Sequence, residues 1–431
     1  MPASDPHTEQ SDAADYVPLG AIERLKRYRM GGYHPVDIGD ILGGHYRVMH
    51  KLGFGAYSTI WLARDERTEK YVAVKVGTGY SHPLEVDVIA CLQTSQTFDI
   101  SIVRSVIPPV LDAFEAHGPN GKHPCYVTTP SGANLKRAKT SSHNGGFRLD
   151  VARAMAAQLA IAVTHIHEKG YVHGDVRLAN MVLRLPFDIN QLSLETLYRK
   201  YGEPMRIPVV GADGQPLTPA GPTDCIVPVW LGKTSDQIML PEAKIMLIDF
   251  GEAYLPSLQS RYTSNAPPAY QPPEALWDRR TPMTFPSDIW TLACSLWDMV
   301  AWFPLFKSYF SKENDVTSEQ VAILGRLPTG WWSAWGRKND RLRRRFNKHG
   351  RPVDAVCYPD WETRFENAVQ QPRRERGMMT MEPEEKDAFF SLLRSMLVFR
   401  PEGRITARQV LESEWMVQWA RPEYERVLHG G

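Results

Sequence analysis

The chain has 431 residues, 43% hydrophobic and 23% charged, an ordinary globular composition with room for one large two-lobed domain or two domains. Lys and Arg total 50 against 49 Asp and Glu, a net charge of +1, so bulk charge points to neither a nucleic-acid nor a membrane partner. Five scattered cysteines (91, 125, 225, 294 and 357) form no Cys-x-x-Cys pair, so spacing indicates no zinc site and no disulfide framework.

Residues 1–15 are polar and small and are expected to be disordered. The stretch from Tyr16 to Leu42 reads as an arm on the first lobe. Alternation and β-branched residues in HYRVMHKLGFGAYSTIWLARD predict two strands around Gly53-Phe54-Gly55-Ala56-Tyr57-Ser58. Glycines there let backbone amides approach phosphates without a Cβ clash, although a plain hairpin turn has the same look. No Gly-Lys-Ser/Thr follows, so it is not a Walker A loop. Val72-Ala73-Val74-Lys75 predicts another strand with one lysine, ordinarily a surface residue. Pro83–Leu92 has helical spacing and carries Glu85 and Asp87. CYVTTPSGANL reads as a strand running out into a connection.

Residues 150–169 predict an amphipathic helix ending at Gly170. His165 and His167 on it are read as structural. The loop His173-Gly174-Asp175-Val176-Arg177-Leu178-Ala179-Asn180 follows, then the apolar run Met181-Val182-Leu183. Loops on a rigid scaffold are where chemistry tends to sit. Residues 186–243 carry many Pro and Gly and only fragments of helix pattern. They either order against the large lobe or stay loose, and sequence favours part of each. A strand, Ile245–Ile248, then delivers Asp249-Phe250-Gly251. One of these acids can orient a hydroxyl. The amide of Asn180 and the other acid can hold a divalent metal on a phosphate chain.

This ordered set resembles the catalytic core of the eukaryotic protein kinases. The resemblance implies that Asp175 accepts the hydroxyl proton and that Asn180 and Asp249 hold Mg2+ on ATP. Gly53, Phe54, Gly55, Ala56 and Ser58 would cover the phosphates. Lys75 would contact them and pair with Glu85, with Asp87 as the alternative acid. Thr128 would be the gatekeeper, and Thr129-Pro130-Ser131 the hinge; Pro130 has no N–H to donate. Glu274, ending an activation segment at Pro273-Glu274, would pair with Arg404. Asp288 in Ser287-Asp288-Ile289-Trp290 would brace the catalytic loop. GGYHPVDIGD (residues 31–40) resembles the stretch preceding the kinase domain in SR-protein kinases, which act on arginine/serine-rich splicing factors; the likeness is to a divergent, fungal-type member.

The implied fold is α+β: a two-lobed protein-kinase fold with a β-rich small lobe, a mostly helical large lobe, and an insertion between catalytic loop and Asp249. The expected division is an arm to residue 30, the small lobe with its preceding arm over 31–130, the large lobe over 131–420 with insertion 186–243, and a tail over 421–431. Three positions depart from the family. Gly174 stands where an Arg usually serves activation-loop phosphate, so activity without that phosphate is expected. Arg177 replaces a Lys near the γ-phosphate, and a planar fork is not equivalent to an ammonium. Pro267 replaces a Thr that bonds the catalytic Asp.

The expected activity is transfer of the ATP γ-phosphate to protein serine or threonine, with arginine/serine-rich proteins among the substrates. Asp175, Lys75 and Arg177 carry the catalysis in this reading. A catalytically weak scaffold and a small-molecule phosphotransferase with an HGD loop are the rivals. A monomer in cytoplasm or nucleus is expected, with reduced thiols. Neither a membrane partner nor nucleic acid is expected, and no apolar run approaches a bilayer span. The polar start is not a secretory leader. The basic, Trp-rich stretch 327–376 reads as a solvated insert anchored by Trp331, Trp332 and Trp335.

Overall fold

Strand periodicity builds the first part of the chain. In the computed structural model, which describes residues 22–81, 84–94, 99–209, 220–306, 313–353 and 358–430, a six-stranded sheet runs in the order β1-β2-β3-β4-β6-β5. Its strands are β1 (Ile41–Leu42), β2 (Tyr46–Phe54), β3 (Ser58–Asp65), β4 (Tyr71–Gly77), β5 (Asp112–Gly118) and β6 (Gly121–Thr128), with α1 (Leu84–Leu92) and α2 (Ile100–Val106) between β4 and β5. All the pairings are antiparallel, and Val48, Trp61, Val74 and Val127 fill one buried face. The expected disorder of residues 1–15, the start of the helix at Pro83, and Cys357 lie outside the described residues.

The chain crosses into the helical lobe through β7 (Ser131–Asn134) and α3 (Leu135–Thr140). The core helix is α4 (Leu149–Glu168), whose Ala-rich surface is buried from Leu149 to Ile166 with few exceptions. It corrects one expectation: α4 is long and apolar enough to cross a membrane, but 94% of its apolar window is buried inside the protein. The helix Phe285–Val300 and the C-terminal helices Ala407–Leu411 and Arg421–His429 pack against it. β8 (Met181–Arg184) and β11 (Ile245–Leu247) pair antiparallel, Met181 opposite Leu247. That pairing brings the two ends of the chemistry together across more than sixty residues of sequence.

Those intervening residues contain α5 (Leu194–Tyr201), β9 (Arg206–Pro208) and β10 (Asp224–Ile226). The described part is ordered against both lobes. Ile238, Leu240 and Ala243 join the large-lobe core, as one alternative held, while the earlier part packs on the small lobe. Leu197 of α5 is buried with Met49, Leu62 and Tyr71 of the sheet. Asn190 accepts the Tyr71 N–H at 2.7 Å, and the Val229 N–H reaches Lys51 O at 2.8 Å. Ser235 N–H then bonds Ala138 O of α3 at 2.9 Å, so the insertion spans from one lobe to the other.

Beyond β11 come α6 (Pro273–Trp277), α7 (Phe285–Val300), α8 (Glu313–Leu324), α9 (Thr329–Lys338) and α10 (Asp340–Arg343). The Trp cluster is buried as expected, with Trp331, Trp332 and Trp335 joined by Phe346 and Tyr358. The expected tail over 421–431 is described up to Gly430. Arg421–His429 is a helix that buries Tyr424 and Val427 in the main core, because its apolar positions fall on one face.

Candidate active site

The alternation of β4 turns Lys75 to the cleft, away from the buried face that holds Val74 and Val76. Its ammonium donates to both oxygens of Glu85, at 2.8 and 2.7 Å, and to Asp249 Oδ1 at 2.9 Å. Burial works against its charge, yet Asp249 and Glu85 outweigh it and hold the lysine well above its usual range. The same ammonium, despite opposing burial, keeps the Asp249 carboxyl low. Glu85 is thus the paired acid; Asp87 points to solvent. Two further donors converge on Glu85 Oε1: the Phe250 N–H at 3.0 Å and the Tyr126 hydroxyl at 3.1 Å. Tyr126 was missed by sequence reasoning. Its signal was period two: it lies two residues before Thr128 on β6 and opposite Lys75 in register.

Between β2 and β3, a Cβ on Gly53 would meet nothing within 4 Å, and one on Gly55 only Ser58 Oγ at 3.9 Å. Neither glycine has a positive φ. The fold itself therefore demands neither glycine, which leaves a close approach from the cleft as the physical reason for them. Ser58 is buried at the return of the hairpin, where its carbonyl accepts the Gly55 N–H at 2.8 Å. Phe54 ends β2 half-buried, while Ala56 and Tyr57 are exposed at the tip.

The arm holds this tip from behind. The Tyr33 hydroxyl donates to Gly55 O at 2.6 Å, and the Arg27 guanidinium donates to Ala56 O. The arm is itself anchored by Glu23, which is fully buried on Lys51 and also receives the Tyr28 hydroxyl. Burial lowers Lys51, against the pull of Glu23. Nothing in the spacing of GGYHPVDIGD disclosed these contacts.

At the lobe junction, Thr128 donates its hydroxyl to Pro109 O at 2.7 Å. Thr129 and Ser131 follow, with Ser131 already paired to Arg184 in β7. The insertion backs this connection closely: a Cβ on Gly232 would sit 2.7 Å from Ala133 Cβ, and one on Gly132 would sit 3.0 Å from Leu231 O.

The catalytic loop is fixed from beneath by α7. Asp288, buried among apolar neighbours, accepts the N–H groups of His173 and Gly174 at 2.7 and 2.9 Å and receives His167 Nε2 at 3.0 Å. Burial would raise its carboxyl, but these partners hold it below the usual range. His165 instead bonds Leu92 O at 2.8 Å, so both helix histidines are structural, as read. Ser295 Oγ donates to Val176 O at 3.1 Å. Above this base, Asp175 is bounded by Arg177 Nε, 2.8 and 2.9 Å from its two oxygens, and by Asn180 Nδ2 at 2.7 Å from Oδ2. The Ile248 N–H bonds Asn180 O at 2.9 Å, which seats Asn180 beside the strand that carries Asp249. Asp249 takes a left-handed φ of 67°, a strained posture for a residue with a Cβ, with its side chain half exposed toward the cleft.

The three departures now have surroundings. Gly174 has φ +82°, and a Cβ there would meet Glu252 O at 2.7 Å. No larger residue fits without movement. Arg261 of the activation segment donates to Glu252 O at 2.8 Å and pairs with its carboxylate at 3.2 Å, while Asn265 takes the other oxygen at 3.0 Å. Pro267 opens the turn Pro268–Tyr270, and the side-chain bond on Asp175 comes from Arg177 instead. Glu274 and Arg404 form a buried pair through two bonds, 2.8 and 2.6 Å.

A protein kinase domain model matches residues 234–416. A Physarum polycephalum serine/threonine-protein kinase of the SRPK type is 27% identical over 91% of each chain. An Aspergillus fumigatus serine/threonine protein kinase is 25% identical over 92% of this chain and 90% of its own. The chain is similar to serine/threonine protein kinases of the SRPK type. Human SRSF protein kinase 3 is 32% identical over 37% of this chain and 29% of its own length. A solved kinase domain, at 18% identity, shares the fold with a TM-score of 0.58 over 89% of this chain and 98% of its own. The family implies ATP and a divalent metal. Among the described residues no group of three or more His, Cys, Asp or Glu could hold a metal ion by itself. One carboxylate and one amide suit a magnesium ion that brings phosphate oxygens and water as its other ligands.

Proposed function

We propose that Asp175 accepts the proton of a serine or threonine hydroxyl while Lys75, Arg177, Asn180 and Asp249 manage the phosphates. The observation that carries this is the assembly of Lys75, Glu85 and Asp249 through bonds of 2.7–2.9 Å, with the α1 helix and the metal-facing acid already engaged. Asp249 and Asn180 would hold Mg2+, which when bound neutralises charge on the transferring phosphoryl group. Lys75, kept charged by its carboxylates, orients the phosphate chain. Gly53, Phe54, Gly55, Ala56 and Ser58 close over it with backbone amides. The adenine would meet backbone groups at Thr129 and Ser131, with Thr128 lining the rear. Arg177 commits Nε to Asp175 and leaves its Nη groups for a phosphate oxygen, so one side chain both orients the base and carries the charge a lysine supplies elsewhere.

The substrate class is protein serine or threonine. Arginine/serine-rich segments are the first to test, because SRSF kinases are among the relatives. The free thiols Cys91, Cys125, Cys225 and Cys294 fit a reducing setting such as cytoplasm or nucleus. Transfer from labelled ATP to arginine/serine, acidic and generic peptides, wild type against Asp175→Asn, tests the assignment. The variant is expected to lose about 10^3-fold in kcat with nucleotide affinity kept. Equal rates would remove Asp175 from the role. The Glu252–Arg261 tie supports activity without activation-segment phosphate. Phosphatase-treated enzyme is accordingly expected to keep its kcat, and a large fall would overturn that reading.

A further inference from the structure

Charge in this chain is segregated. Between Arg326 and Arg351 stand nine Lys and Arg and a single acid, Asp340, a net +8 within a chain whose total is +1. The remainder therefore carries −7. Like charges held this close repel one another, and a fold keeps them together only on a firm support. The support is present: Trp335 is fully buried, and Trp331, Trp332, Phe346 and Tyr358 pack around it. Arg326 and Arg343 lie over the Trp332 ring, each 5.4 Å from its centroid. Gly350 is seated against the Arg326 backbone, where a Cβ would come within 2.4 Å.

On this support Arg337, Arg341, Lys348 and Arg351 are exposed and make no ion pair among the described residues. The one local acid, Asp340, is taken by Arg344 at 2.7 Å. The unit also stands next to the substrate end of the enzyme. Trp277, the last residue of α6, packs into the same cluster, and Lys338 Nζ lies 5.8 Å from its ring. α6 begins at Pro273, where the activation segment ends.

We propose that the exposed cations of α9, α10 and the turn after them form a docking surface for an acidic segment of the protein substrate, remote from its phosphorylated residue. The proposal rests on the protein-kinase reading. Guanidinium groups hold planar carboxylates through paired N–H bonds, so the recognised segment is rich in Asp and Glu; phosphoserine, whose oxygens suit the same groups, is an arm of the test. A protein segment is favoured over nucleic acid because the aromatic residues of the unit are spent in its core, which leaves no faces for base stacking. Tethering by such a segment raises the local concentration of the hydroxyl at the cleft without new contacts there.

The test uses the full chain and one acceptor peptide in three forms: untailed, joined through a flexible linker to an Asp/Glu tail, and joined to a phosphoserine tail. The variant reverses Arg337, Arg341, Lys348 and Arg351 to Glu. Wild type is expected to show KM about fivefold to twentyfold lower for a tailed peptide at unchanged kcat. The gain shrinks between about 50 and 300 mM salt. The variant is expected to keep wild-type kcat and KM on the untailed peptide and lose the gain. Equal KM for tailed and untailed peptides in wild type, or a gain surviving charge reversal, overturns the docking site. Which tail gives the larger gain separates carboxylate from phosphate. If no peptide is phosphorylated, the kinase reading fails by itself; anisotropy of a labelled tail peptide on wild type and variant then decides docking alone, with charge-sensitive binding expected. Single-stranded RNA outcompeting the tail at physiological salt replaces the protein partner with a nucleic acid.

Discussion

The two loops that would enclose the phosphates are held in opposite ways. The catalytic loop is fixed from the inside, by the buried carboxylate of Asp288 on a helix of the main core. The glycine-rich loop is fixed from the outside, by Tyr33 and Arg27 of an arm laid over the small lobe. An inside anchor couples the site to global stability. An outside anchor can be lost while the fold survives, because the arm adds few residues to the main core. The insertion belongs to the second kind. It reaches the sheet, the hinge and α3, and so sets how the lobes meet without supplying a group to the chemistry.

Breaking the inside anchor should have the larger effect. Asp288→Asn keeps the volume but replaces one acceptor by a donor that faces the N–H groups of His173 and Gly174. Leaving such a buried group unsatisfied costs about 2–4 kcal/mol. Urea denaturation should show the fall, and transfer activity should fall with it. Unchanged stability would mean that the loop is held by other contacts, such as Ser295 on Val176.

Tyr33→Phe tests the outside anchor and removes one hydroxyl. The loss is about 1 kcal/mol, and it should fall on nucleotide binding: KM for ATP up about threefold to fivefold, with the thermal midpoint nearly unmoved. A fall in midpoint without a change in KM would reverse the assignment and make Tyr33 a part of the fold.

The difference also explains what the sequence disclosed. That Asp175, Asn180, Asp249, Lys75 and Glu85 gather at one cleft was legible because the metal and phosphate chemistry proposed for them would restrict residue type at fixed order along the chain. Asp288 and the Glu274–Arg404 pair were legible because buried charges admit few substitutes. The arm's contacts were not, since Tyr33 and Arg27 bond backbone carbonyls, and a carbonyl has no residue type to read. Tyr126 lay hidden among ordinary strand aromatics. The insertion's placement was illegible for a related reason: Leu197, Val229 and Leu231 bury apolar surface against whatever is near, and nothing in their order favours the small lobe over the large.

The smallest effect concerns pH and the arm's seat on the sheet. His34 packs beside His123, with ring centroids 4.8 Å apart, and its Nδ1 is buried without a hydrogen-bond partner among the described residues. Burial, with the neighbouring His123 adding to it, depresses His34 to about 4, while Asp40 pulls weakly the other way. His123 is lowered too, by burial and by His117, against its bond to Gly77 O. A histidine with a depressed folded value takes up its proton more readily when unfolded. Its contribution is therefore complete above about 6.5 and is lost as pH falls toward about 4. The arm should loosen in that window before the large lobe does, which would raise KM for ATP ahead of global unfolding. His34→Gln should flatten the fall in thermal midpoint between pH 7 and 5, leaving the part due to His123. Parallel midpoint curves for variant and wild type would show that the arm's seat does not titrate through His34, and would return the acid sensitivity to the carboxylates of the cleft.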